Sequence, residues 1–147
     1  MIDREYPGPA TRAAAGFIAA AISVLTFHAG AWEVLHLMGM MPAPYPLAPT
    51  APLGIPVIGS LTFWGACYGI PFGLAMPRLP RPLVIWGLVL GILASLVGWI
   101  IVAALKGRPP ASGSLLVPLI VNGAWGIGVG IIAPLLMPRP SRTALAR

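Results

Sequence analysis

The sequence predicts an all-α membrane protein, a four transmembrane helix bundle, with two parallel helical-hairpin repeats as a candidate internal symmetry. Three observations predict it. Of 147 residues, 58% are hydrophobic and only 8% charged. A water-soluble domain carries about 25% charged residues, so this chain cannot cover a solvated surface. Four apolar runs follow one another, each long enough for the roughly 30 Å of a hydrocarbon core. The nine Lys and Arg residues fall in the breaks and tails. That is the pattern of membrane topology, and no basic stripe interleaved with aromatics points to nucleic acid.

Residues 1–12 form a polar tail, with Pro9 and Thr11 suited to a helix entry. The first span is residues 13–38. Asp3 and Glu5 spoil a basic signal-peptide start, and the apolar run continues to about Met41. It is therefore expected to stay on as a spanning helix. Residues 39–56 form an outer loop holding six prolines and no charge. So many prolines forbid a helix and favour extended chain. The loop is either a lid against the bundle or a stiff spacer. The second span is 57–76, with Pro71 expected to kink it. A basic turn, Pro77-Arg78-Leu79-Pro80-Arg81-Pro82, leads into the third span, 83–105. A short polar loop precedes the fourth span, 115–137, and residues 138–147 form a basic tail. Together residues 13–137 make one transmembrane domain. The single cysteine, Cys67, excludes an internal disulfide and reads as an inert buried thiol.

Trp64-Gly65, Gly69 and Met76-Pro77-Arg78 recur as Trp125-Gly126, Gly130 and Met137-Pro138-Arg139 at one fixed offset. The second and fourth spans therefore read as copies, which puts two hairpins in the same orientation. Convergence on a common Pro-Arg helix stop is the alternative. Arg4 and Arg12, Arg78 and Arg81, and Arg139, Arg142 and Arg147 place both termini and the second loop in the cytoplasm. The first and third loops then face outward.

Glu33 is the only acidic residue beyond the N-terminal tail, and both histidines, His28 and His36, share its helix. A carboxyl group in an apolar segment is costly unless paired, protonated or wet, so it stands as a functional candidate. It lies about 8 Å inside the outer end of the first span at 1.5 Å per residue. Glu33 and His36 are three apart and can touch. With Ser60 or Thr62 and Asn122 they could form an outer polar cluster, a proton relay or ligand site. The plainer reading is that Glu33 only bonds a neighbouring helix. His36, Met38, Met40 and Met41 are weak copper candidates, since thioethers with an imidazole suit Cu(I). Haem would need a facing histidine from a second copy. Neither pattern is a recognised signature, and no cofactor is expected. Gly65, Gly69, Gly73, Gly87, Gly91, Gly126 and Gly130 recur at spacing four and read as helix-packing positions. Trp86 and Trp99 suit interface belts, while Trp64 and Trp125 read as deeper. No catalytic triad, paired carboxylate or phosphate loop is present, so no enzymatic activity is expected.

Phe27-His28, Tyr45-Pro46-Leu47-Ala48-Pro49-Thr50, Phe63-Trp64-Gly65 and Asn122-Gly123-Ala124-Trp125-Gly126 resemble a group of small four-span bacterial inner-membrane proteins. The resemblance covers most of the chain. It implies four helices and a bacterial inner membrane, and it supplies no mechanism. Two functions are expected from the residues. One is a structural or accessory bundle that packs against itself or a larger complex within the lipid bilayer. The other is a small proton-coupled transporter, working as a dimer, centred on Glu33 with His28 and His36.

Overall fold

The computed structural model describes residues 7–51, 53–109, 111 and 113–137. Asp3, Arg4, Glu5, Arg139, Arg142 and Arg147 lie outside the described residues, as does the Pro138-Arg139 end of the recurring motif. Among the described residues four helices are long and apolar enough to cross a membrane. They are α1 (Pro9–Leu37), α2 (Val57–Arg78, its last turn 3₁₀), α3 (Leu83–Leu105) and α4 (Leu116–Leu135). The helix α1 starts four residues before the expected entry, at Pro9, with Gly8 rather than Thr11 at the cap. Proline lacks the N–H that a first turn leaves unpaired, so it opens the helix instead of breaking it.

Two antiparallel pairs form, α1 with α2 and α3 with α4. The helices α1 and α4 join the pairs, whereas α2 and α3 meet only marginally. Glycine decides both pairings. A Cβ on Gly16 would overlap the Gly69 carbonyl oxygen, and one on Gly69 would overlap that of Gly16. Gly87 and Gly126 stand in the same reciprocal relation across α3 and α4, and Gly91 meets the Asn122 carbonyl. The backbones approach to where only hydrogen fits, which gains dispersion contact along each seam.

Between the pairs the core is built on Trp125, 2% exposed, with Ala20, Val24, Phe72, Met76 and Val129 around it. Its indole N–H donates to the Ala20 carbonyl at 3.1 Å, and the Ser23 hydroxyl donates to the Trp125 carbonyl at 2.6 Å. This reciprocal bond ties α1 to α4 and satisfies polar groups that burial would otherwise penalise. Trp64, the matching member of the recurring motif, is instead 62% exposed and stacks edge-on against Phe63. Its helix turns that face away from α1 and α4. Cys67 is half-buried rather than buried.

Both α1 and α3 contain one π-helical turn, Val24–His28 and Gly98–Val102. In each, the N–H after the turn reaches back five residues, Ala29 to Val24 and Ala103 to Gly98. That shift skips one carbonyl, Leu25 in α1 and Trp99 in α3. Both skipped carbonyls are taken from outside the helix. The Tyr45 hydroxyl donates to Leu25 at 2.9 Å, and the Ala111 N–H donates to Trp99 at 3.0 Å. Each donor comes from the loop that follows the helix, folded back alongside it.

The Pro-rich loop is thus held against α1 and is not a free extended spacer. Inside it, Pro49–Thr50 (β1) and Ile55–Pro56 (β2) form a minimal antiparallel pair, Thr50 opposite Ile55. β-Branched residues suit the pairing, and Gly54 supplies the left-handed turn conformation, φ 66°. The loop then closes α2, which has no side-chain cap. The Val57 and Ile58 N–H groups donate to the Ala48 and Pro46 carbonyls at 2.9 and 3.0 Å, satisfying donors that a helix start leaves open. Three tryptophans clamp the three loops. Trp32 donates to Pro42, Trp86 to Pro80 and Trp99 to Gly113.

Candidate functional site

Residues named from the sequence separate into two places at one end of the molecule. The first is the C-terminal end of α1. His36 Nδ1 lies 2.9 Å from the Met41 carbonyl, which can only accept, so Nδ1 carries the proton and Nε2 faces away from this bond. His28 is buried and leans on Trp32 with ring centroids 5.8 Å apart. Glu33 is half-buried and makes no hydrogen bond or ion pair among the described residues. Thr62 bonds back to the Ile58 carbonyl of its own helix at 2.8 Å, and Ser60 is half-buried beside it. Met38 and Met40 are exposed at 66% and 47%. Among the described residues no three His, Cys, Asp or Glu side chains group for a metal.

Register explains why Glu33 stays apart from Ser60 and Thr62. Val24 packs against Gly65 across the antiparallel pair. Each residue further along α1 moves one residue back along α2, since both rise about 1.5 Å per residue. Glu33 therefore falls level with Pro56, at the rim where α2 begins, and above the level of Ser60 and Thr62. Its depth below the end of α1 is that of the α1 overhang. Asn122, far along the other pair, does not meet it.

The second place is a cavity of about 340 Å³ between the C-terminal half of α3 and the N-terminal half of α4. Ser95, Trp99, Arg108, Ser114, Pro118 and Asn122 line it, with Gly98 and Ala103. The fully buried Ser95 hydroxyl lies 2.9 Å from the Gly91 carbonyl and 3.0 Å from the Pro118 carbonyl. It can give its one proton only to these acceptors. Its oxygen is then an acceptor for Asn122 Nδ2 at 3.1 Å, which fixes the amide orientation. Asn122 lines the cavity, and its Oδ1 and second amide proton make no bond among the described residues. Ser114 accepts the Leu116 N–H at 3.2 Å, leaving its own proton free. The Arg108 guanidinium is exposed and makes no bond among the described residues.

Sequence reasoning singled out Asn122 but not Ser95, Arg108 or Ser114 as members of this group. A signal was present. Ser95 is a lone hydroxyl within an otherwise apolar stretch of α3. Spacing four from Gly91 puts it on the glycine face that meets α4. Tyr45 stands in a quoted loop motif, but its bond to Leu25 could not be read there, because that partner exists only where a π-turn releases a carbonyl.

No family model, no curated protein and no solved structure matches this chain. The likeness to small four-span inner-membrane proteins therefore rests on the motifs quoted from the sequence.

Proposed function

We propose that the four helices cross one bilayer as a bundle, in a bacterial inner membrane, with both termini and the Arg78–Arg81 turn in the cytoplasm. In this reading the protein is a structural or accessory bundle that packs against itself or a larger membrane complex. The observation that carries it is the manner of packing. Each pair is joined by a backbone-to-backbone glycine seam, Gly16 on Gly69 and Gly87 on Gly126, and Trp125 fills the space between the pairs. That arrangement favours a rigid element over a conduit. A second support is the surface. The helix α3 has a mean hydropathy of 2.7, yet only 17% of its apolar window is buried within the chain. The recurring Trp-Gly and Met-Pro-Arg motifs support, in the same spirit, an origin from two parallel hairpins.

The test is the mass of the protein extracted from its own membrane in a mild detergent. Co-migration with a second copy or a larger complex is the expected result, and a lone monomer under all mild conditions counts against it. Cysteine labelling at Ala43→Cys and Leu79→Cys checks the topology, the first expected to react from outside only.

The other reading, a proton-coupled transporter using Glu33 with His28 and His36, draws on one observation. Glu33 has no partner within the described chain, so a second copy could complete it. Proton flux into liposomes that is the same for wild type and Glu33→Gln removes this reading.

A further inference from the structure

We propose that the cavity between α3 and α4 binds a glycerophosphate group, a phosphate ester bearing glycerol hydroxyls. Three features of the cavity select that chemistry. Its lining includes the exposed Arg108 guanidinium, which makes no bond among the described residues, and no acidic side chain. A guanidinium recognises a phosphate by paired, charge-assisted hydrogen bonds. The Ser114 hydroxyl proton and the second Asn122 amide proton add neutral donors from the same lining. A ligand made only of acceptors would leave Asn122 Oδ1 unmatched, and a hydroxyl next to the phosphate matches it. A bare inorganic anion is therefore a poorer fit than an ester with hydroxyls. The size agrees, since about 340 Å³ lies at the small end of ligand sites.

The floor of the site is preorganised. Ser95 holds one face of Asn122, and the Gly91 and Pro118 carbonyls hold Ser95, so the amide cannot rotate to hide its oxygen. The wall is preorganised too. Trp99 is fixed by its indole bond to Gly113 and by the Ala111 N–H on its carbonyl. Such a site loses little ordering entropy on binding. The same group has two sources, the head of an anionic phospholipid at the outer rim or free glycerophosphate in water. Only the lipid source depends on the membrane-spanning reading above.

The experiment has two arms on the full chain. In detergent, sn-glycerol 3-phosphate is titrated by calorimetry. In nanodiscs of phosphatidylcholine, phosphatidylglycerol retention is followed by native mass spectrometry. Saturable binding at one site in either arm supports the assignment and names the source. Arg108→Gln should weaken that binding by about tenfold or more, the scale of a lost charged hydrogen bond. Arg78→Gln, at the opposite end, should leave it unchanged. Asn122→Asp keeps the shape, puts a carboxylate beside the phosphate, and should abolish binding while the circular dichroism stays helical. Binding that is absent in both arms, equal for phosphatidylcholine, or indifferent to Arg108→Gln overturns the proposal. Binding of the free ester by a protein that failed the topology test would leave it standing alone.

Discussion

The two helix pairs solve the same packing problem and end differently. In each, the first helix overhangs the second, skips a carbonyl at a π-turn, and has that carbonyl taken by the returning loop. In each, glycines four apart bring the backbones together. The polar residues make the difference. In α1 and α2, Thr62 bonds its own helix and His36 bonds the loop, while Glu33 sits at the rim. In α3 and α4, Ser95 and Asn122 face each other across the seam and leave a lined cavity. Polar groups build a site when register puts them on opposing helices. Placed along one helix, they are absorbed by the nearest carbonyl. The cluster expected around Glu33 needed Ser60, Thr62 and Asn122 at its own level, and register sets it level with Pro56 instead.

The largest effect should come from breaking a seam. Gly126→Val drives a side chain into the Gly87 carbonyl, and Gly16→Val does the same at Gly69. Each should cost about 3 kcal/mol or more in a detergent-unfolding titration, the upper range for overpacking. If only one pair fails, the seams are not equivalent and the comparison breaks there. Next in size is Ser95→Ala, which strips the acceptor from a partly buried Asn122 amide. A loss of about 1–3 kcal/mol follows from an unsatisfied polar group. Full stability in this variant would mean water already serves that amide.

Tyr45→Phe sharpens the loop half of the comparison. It leaves the Leu25 carbonyl without its donor, at roughly 1 kcal/mol for one neutral hydrogen bond. Hydrogen exchange should rise in residues 41–56 while helix content holds. An unchanged exchange pattern would show that Trp32 and His36 alone hold the loop. The smallest effect belongs to Glu33→Gln. With no partner among the described residues, its stability should shift by no more than about 0.5 kcal/mol. A larger loss in the native membrane, absent in detergent, would reveal a partner supplied by a neighbouring chain.

Much of this was readable in the residues. Apolar runs and proline breaks mark the helices because a run of that length is intelligible without knowing its neighbours. The entry at Pro9 and the ends at Leu37 and Leu135 differ from expectation by a few residues, since caps and fraying are local accidents. The glycines announce close approach by their spacing, though not against what. Trp64 and Trp125 show the limit most clearly. They share a motif and a helix context, yet one is exposed and the other is the centre of the core.

By itself the sequence determined the number of helices, their order and their apolar character, because these follow from composition and period along one strand of chain. Tertiary structure alone decided the register between helices, and with it the depth of Glu33, the Ser95–Asn122 contact and the carbonyls that Tyr45 and Ala111 claim. Register depends on which glycine meets which carbonyl across a seam, and no periodicity within a single helix carries that information.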